Sequence, residues 1–277
     1  RRPCSVRRGR SLVRGHWITA IDSDVGGDRA RSRPKRQWSP NNYAIMTAER
    51  QQFLLPELMD DPALPLEETE RALTDLEKVN RWLLGIGASR RTLLPLMCQG
   101  ANRCHLLDVG TALGQIAAEL AKSAARRGVT VKVIGVDRKL SHLLSGRRRG
   151  YSQLRVVASA DALPFRDAAV DWSHSSLLLH HFPLIENVAI LDEMRRVARH
   201  GVAVVDLRQS SWARLLFRLV SPLLGLGRVA TYDGCLSTDQ AWSLGDVIEL
   251  TDGPDLIELR RRFPFRFSLV MRADLRE

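Results

Sequence analysis

HLLDVGTALGQIAAELA, residues 105–121, is the stretch that decides the fold. An apolar run reaches Asp108, a turn bearing Gly110 and Gly114 follows, and helical spacing of apolar residues begins at about Leu113. The two glycines allow unusual dihedrals and close backbone approach. A strand that turns tightly into a helix is half of a βαβ unit. In an open α/β sheet, ligands bind beyond the carboxyl ends of the strands, at the point where strand order reverses. The turn after Asp108 is therefore the first candidate site.

Working outward, the apolar period keeps switching. Strand-like runs fall at 105–109, 131–136, 154–157, 170–173 and 202–205, with helix-like segments at 113–127, from 140, at 184–198 and at 211–224. Alternation of this kind implies parallel pairing with helices on both faces. Further on, 238–250 reads as one more helix, and 256–263 and 265–271 read as an antiparallel hairpin about Pro264 at the sheet edge. Ahead of the first strand, Leu73, Leu76, Val79, Leu83 and Leu84 recur at helical spacing, Gly85 fits a helix stop, and 90–97 suits a second helix. The expected fold is α/β: a Rossmann-like, doubly wound, seven-stranded and mostly parallel sheet with an antiparallel C-terminal hairpin and an N-terminal helical cap. The expected division is a disordered basic leader at 1–45, the cap at 46–100 and a cofactor-binding domain at 101–277.

The chain has 277 residues and a net charge of +11. That excess suggests nucleic acid, but its distribution argues otherwise. Residues 1–45 hold 11 Lys and Arg against 3 Asp and supply eight of the excess charges. The body is only mildly basic. The leader lacks apolar periodicity and is rich in Arg, Ser, Gly and Pro, a composition of disorder; the first Met is Met46. Three readings of it stay open: upstream sequence read through from a misplaced start, a basic tail, or a transit peptide, against which Asp22, Asp24 and Asp28 count. No apolar run reaches the roughly 18 residues of a bilayer span; 215–226 comes nearest but is broken by Arg218 and Pro222. Cys4, Cys98, Cys104 and Cys235 form no C-x-x-C pair, so free thiols in a cytoplasmic protein are expected.

The position of the acid discriminates between cofactors. A dinucleotide fingerprint wants G-x-G-x-x-G with pyrophosphate at the helix N-terminus. Here Asp108 stands two residues before the first glycine. A carboxylate there opposes pyrophosphate and suits a ligand with an ammonium and a sulfonium. The second strand closes on Asp137, where an acid can accept both ribose hydroxyls. SADALPFRD, residues 159–167, follows the third strand, and VDWSHSSLLLHHF, residues 170–182, carries the fourth strand into a histidine-rich stretch.

In that order these segments resemble the class I S-adenosylmethionine-dependent methyltransferases, especially the bacterial type 11 group related to ubiquinone and menaquinone biosynthesis. The resemblance runs from about Leu54 to the C-terminus. It implies S-adenosylmethionine as cofactor, with Asp108, Gly110, Thr111 and Gly114 around its methionine end. It also implies Asp137 at the ribose, Asp161 and Ala162 at the adenine, and Ser175 completing the set. Ala112 departs from the family, which usually has glycine there.

Methyl transfer needs binding, orientation and exclusion of water, and a base only where the nucleophile must lose a proton. His174, His180 and His181 sit where the methyl group should emerge, with His180 and His181 as the catalytic candidates. No metal site is expected, because no carboxylate or cysteine has suitable spacing to these histidines. The apolar segment 211–227, with Arg214 and Arg218 one turn apart, reads as a crossover helix, as a lid over a greasy acceptor, or as a peripheral membrane contact. YDGCLS, 232–237, resembles a loop of the same bacterial group. The expected partner is a small, lipophilic or aromatic molecule (a phenol, quinone or polyketide) and not nucleic acid; oligomeric state stays open. Three alternatives stand beside this reading: an NAD-dependent oxidoreductase, a binding protein of the same fold without activity, and a nucleic-acid methylase, for which the body lacks an N/D-P-P-Y/F tetrapeptide.

Overall fold

Alternation along β1, Arg103–Val109, sends Leu106 to one side of the sheet and Leu107 to the other, and both are fully buried. A strand apolar on both faces needs helices above and below it, and the computed structural model supplies them. It describes residues 54–100, 102–151, 153–251 and 255–274. The expected leader at 1–45 lies outside the described residues.

The remaining strands are β2 (Thr130–Asp137), β3 (Leu154–Val157), β4 (Val170–Ser176), β5 (Ala198–Leu207), β6 (Leu256–Arg262) and β7 (Arg266–Arg272). The helices are α1 (Leu66–Trp82), α2 (Gly85–Met97), α3 (Gln115–Ala125), α4 (Leu140–Arg148), α5 (Leu184–Val197), α6 (Ala213–Val220), α7 (Arg228–Asp239) and α8 (Leu244–Thr251). The seven strands lie in the order β3-β2-β1-β4-β5-β7-β6. The first five are parallel, and β7 runs antiparallel to both of its neighbours. This is the mostly parallel, doubly wound sheet with a C-terminal hairpin that the sequence implies. Strand order reverses between β1 and β4, so the ligand crevice belongs at their carboxyl ends.

One face packs Leu93, Leu94 and Met97 of α2 and Ile116 and Leu120 of α3 on Cys104, Leu106, Trp172 and Ala203. The other packs Ile190, Leu191 and Met194 of α5 and Val247 of α8 on Leu107, Val109, Val202, Val204 and Phe267. Thus α2 is part of the sheet's sandwich, while Ala72, Leu76 and Val79 of α1 face the crevice.

Local differences from the sequence reading have physical causes. Gly85 does not stop a helix; Leu84 makes the turn at φ 61° and Gly85 opens α2. A Cβ at Gly85 would stand 3.2 Å from Asn80 Oδ1. The helix expected at 238–250 starts only at Leu244, while 238–239 end α7, because Trp242 turns into the core and its carbonyl accepts from Gln209 N–H. Ser243 and Asp246 then form a capping box, each side chain accepting from the other's backbone N–H, which starts α8. YDGCLS is not a loop but helical, inside α7, with Gly234 set against the ring of Phe217 on α6.

Candidate active site

At the crevice, Gly110 takes φ 69°, Ala112 φ 47° and Gly114 φ 86°. Three left-handed residues within five positions curl the chain so that the carboxyl end of β1 stays open. A Cβ on Gly114 would fall 1.2 Å from Gln153 Nε2, and one on Gly110 would fall 2.7 Å from Leu178 Cδ1. Both glycines are favoured by their left-handed dihedrals, and a Cβ at either would have to displace a side-chain end. Ala112 accepts the left-handed conformation at a cost of about 1–2 kcal/mol.

The turn is bordered by a cavity of about 290 Å³. Asp108, Gly110, Thr111 and Asp137 line it, as do Ala158, Ser159 and Ala160 after β3. Asp108 Oδ2 accepts the Thr111 hydroxyl at 2.6 Å, and Oδ1 lies 2.7 Å from His174 Nδ1. A carboxylate has about four acceptor positions, so capacity is left for a cation in the cavity. Asp137 accepts the backbone N–H groups of Ala112 and Lys139. Four further polar atoms of the lining residues, Asn80 Oδ1, Gln115 Oε1, His142 Nε2 and Ser176 Oγ, are buried without a hydrogen-bond partner among the described residues. Buried polar groups are normally satisfied, so these four atoms mark the wall as unusually rich in unpaired polar groups. Burial holds the His142 imidazole below its usual range against the pull of Asp137, leaving it neutral near pH 7.

Other expected residues stand elsewhere. His174 is fully buried between Asp108 and Ser89, 3.1 Å from the latter's hydroxyl; it positions Asp108 and cannot reach an acceptor. Ser175 is fully buried and off the cavity lining, because strand alternation presents Ser176 instead. Gly114 shapes the turn from outside the lining. Asp161 and Ala162 are exposed beyond Ser159, to whose hydroxyl Asp161 is bonded.

The far end of the cavity holds residues with no signal in their local sequence. Asp206, closing β5, is fully buried. It accepts the N–H groups of Leu178 (3.0 Å), Leu179 (2.7 Å) and Leu207 (2.7 Å) and lies 2.6 Å from His180 Nδ1. Burial alone would raise the Asp206 carboxyl, but the His180 charge and these donors bring it below the usual range. Burial likewise opposes the His180 imidazolium, and the Asp206 carboxylate outweighs it, so His180 titrates above its usual value. His181, its ring centroid 4.3 Å from that of His180, is pushed down to about 3 by burial and by the His180 charge.

Glu57 arrives from the segment before α1. Asp233 of α7 accepts the N–H groups of Leu58 and Met59 at 2.7 and 3.0 Å, and Lys139 Nζ reaches Met59 O and Asp60 Oδ1, both at 2.6 Å. This strap turns Glu57 inward, where it accepts the Ser237 hydroxyl and lies 3.9 Å from His181 Nδ1. Burial raises its carboxyl to about 7. Glu57, His180 and His181 each offer an atom within 4.8 Å of the others. The tertiary structure therefore supplies the carboxylate that sequence spacing denied these histidines; a cluster of this kind is not by itself a metal site.

The strand order thus opens a crevice at the end of β1, with an acid and a left-handed turn at its lip. Residues 107–205 match a family model described as a methyltransferase domain. Among solved structures, the plantazolicin methyltransferase BamL, solved with a triazolic desmethylPZN analog and SAH, is 10% identical over 84% of this chain and 97% of that one, with a TM-score of 0.54. A SAM-dependent methyltransferase from Aquifex aeolicus is 16% identical over 73% and 97%, at 0.49. A putative methyltransferase of Haloferax volcanii, solved with the activator Trm112, is 16% identical over 75% and 97%, at 0.48. No curated protein matches the chain. The chain thus carries a methyltransferase domain over residues 107–205, for which S-adenosylmethionine is the cofactor. No helix among the described residues is long and apolar enough to cross a membrane.

Proposed function

We propose that this enzyme methylates an oxygen of a small, lipophilic or aromatic acceptor, with His180 of the Asp206–His180 pair taking the acceptor's proton. The observation that carries the reading is that pair: a buried imidazole held through Nδ1 at 2.6 Å, leaving Nε2 to act at the cavity. When bound, the cofactor supplies a methyl carbon already activated by a sulfonium. The chain's own residues then bind, orient and exclude water. Asp108, Asn80 and Gln115 would hold the charged methionine end and Asp137 the ribose; Gly110, Thr111 and Gly114 would shape the turn around them. Asp161 and Ala162 are proposed for the adenine edge, and Ser175 only for support behind the site. His181, neutral near pH 7, would pack beside the acceptor rather than accept its proton. Free thiols at Cys98, Cys104 and Cys235 suit a reducing, cytoplasmic setting. The test is transfer of labelled methyl groups to a panel of phenols, enols and amines by the wild type and by His180→Ala. Label on amines alone, or unchanged transfer by His180→Ala, refutes it.

The lipophilic character is supported by α6. Phe217 faces the cavity, while Trp212, Leu215, Leu216, Leu219 and Leu223, at helical spacing, are exposed. Residues 208–228 carry four arginines and no acid. A Trp- and Leu-rich face set among arginines suits the interface of an anionic bilayer. The proposed partner of α6 is accordingly a lipid surface from which the acceptor enters. Sedimentation with phosphatidylglycerol vesicles should bring down the wild type and not Leu219→Glu. Failure of the wild type to bind refutes the contact, and a concentration-dependent dimer lost in Leu219→Glu would assign the face to a second copy.

A further inference from the structure

Arg266, the first residue of β7, is a charged side chain that nothing so far employs. It lines the cavity, pairs in register with Leu207 on β5 and is only 2% exposed. Its Nε and Nη1 are buried and donate to no partner among the described residues. A guanidinium has five N–H donors and no acceptor, and an unpaired buried charge is costly.

The nearest explanation is a structural ion pair with Asp206, and it fails on capacity. The two Asp206 oxygens already receive three backbone N–H groups and His180 Nδ1. Four donors fill the roughly four acceptor positions of a carboxylate. Asp206 acts on Arg266 only through space, partly offsetting the burial that lowers the guanidinium to about 10. At that value it stays charged at neutral pH. The cavity wall thus carries a fixed cation that no carboxylate pairs by hydrogen bond, beside a histidine whose free nitrogen can take a proton.

These two neighbours select a substrate. An amine acceptor would have to lie against the cation. A simple alcohol would leave the guanidinium unpaired. A hydroxyl conjugated with a second oxygen answers both groups, because its anion is delocalised over two oxygens. We infer that Arg266 is a specificity-determining residue that holds the carbonyl-derived oxygen of an acidic enol or phenol, while His180 faces the hydroxyl that is methylated. The inference rests on the methyltransferase reading above and names the acceptor class of the same site. In the reaction the hydroxyl proton passes to His180 Nε2, and an oxygen lone pair forms the new O–C bond. The C–S bond breaks with its electron pair left on sulfur, so a sulfonium becomes a thioether and the enol an enol ether.

The test uses the full chain saturated with S-adenosylhomocysteine and three two-ring probes: 4-hydroxycoumarin, 1-naphthol and 1-naphthylamine. Calorimetry on the wild type should show 4-hydroxycoumarin binding at least tenfold tighter than 1-naphthol, with 1-naphthylamine weakest. Arg266→Gln should lose that preference with S-adenosylhomocysteine affinity kept within about threefold, and Arg266→Lys should recover part of it. Equal binding of the three probes by the wild type overturns the inference even if both variants fail to fold. So does an Arg266→Gln protein that keeps the preference. A wild type that binds S-adenosylhomocysteine but not 4-hydroxycoumarin removes the acceptor class and leaves the methyltransferase reading intact. A wild type that binds no S-adenosylhomocysteine removes both.

Discussion

Replacing Glu57 by glutamine should make the protein more stable, and more so as pH rises. The Glu57 side chain is 10% exposed and its carboxyl is raised from 4.5 to about 7, chiefly by burial. Below pH 4.5 it is neutral in folded and unfolded chains and adds no cost. Between 4.5 and 7 the unfolded chain ionises while the folded one retains the proton, so stability falls. Above 7 the folded chain carries the full cost of a buried carboxylate. At about 1.4 kcal/mol per pH unit, a rise of this size amounts to about 3 kcal/mol. Glutamine cannot ionise and keeps an oxygen to accept the Ser237 hydroxyl. Its advantage should therefore be below about 1 kcal/mol at pH 5 and about 3 kcal/mol at pH 8.5. His181, at about 3, stays neutral over this range, and the pull of the His180 charge is already contained in the Glu57 value of about 7. Urea unfolding at the two pH values, with equal m, measures it. An advantage independent of pH, or a loss at pH 8.5, would refute the burial argument. A more stable Glu57→Gln protein with impaired transfer would mark the strap as a place where function costs stability.

Three other outcomes follow from the same geometry. His180 must be neutral to accept a proton, and its upward shift comes from Asp206, so kcat/KM should decline as pH falls through that raised value. Asp206→Asn should move this limb to lower pH and reduce kcat about 10²–10⁴-fold, read from pH–rate profiles; an unmoved limb assigns the titration elsewhere. Gly114→Ala forces a Cβ into Gln153 at φ 86° and should cost about 1–3 kcal/mol and at least tenfold in S-adenosylhomocysteine affinity, read by thermal melts and calorimetry. Ala112→Gly relieves a left-handed alanine worth about 1–2 kcal/mol and loosens the unfolded chain by about 0.4–1, so the melt should rise slightly; a clear fall would show that the Ala112 methyl packs.

What the sequence determined was whatever a short window encodes. Periods of two and near 3.6, broken by glycines, were enough for the order of strands and helices and for the terminal hairpin. Asp108 and Asp137 were legible because their strands carry them to the lip of the crevice, whatever folds around them. Boundaries failed where a tertiary contact outbid local propensity, as when buried Trp242 delayed the helix expected from 238 until Leu244. His174 and Ser175 show the limit of reading a strand end without its facing: each is sealed behind the site while its neighbour Ser176 lines it. At the far end of the cavity the sequence offered His180 and His181, and the groups that surround them belong to the tertiary structure alone. Glu57, His180, Asp206, Asp233 and Arg266 come from five separate segments, and what each can do depends on burial and on donors supplied by the others. A local window holds neither quantity, since both are set by parts of the chain that meet only after folding.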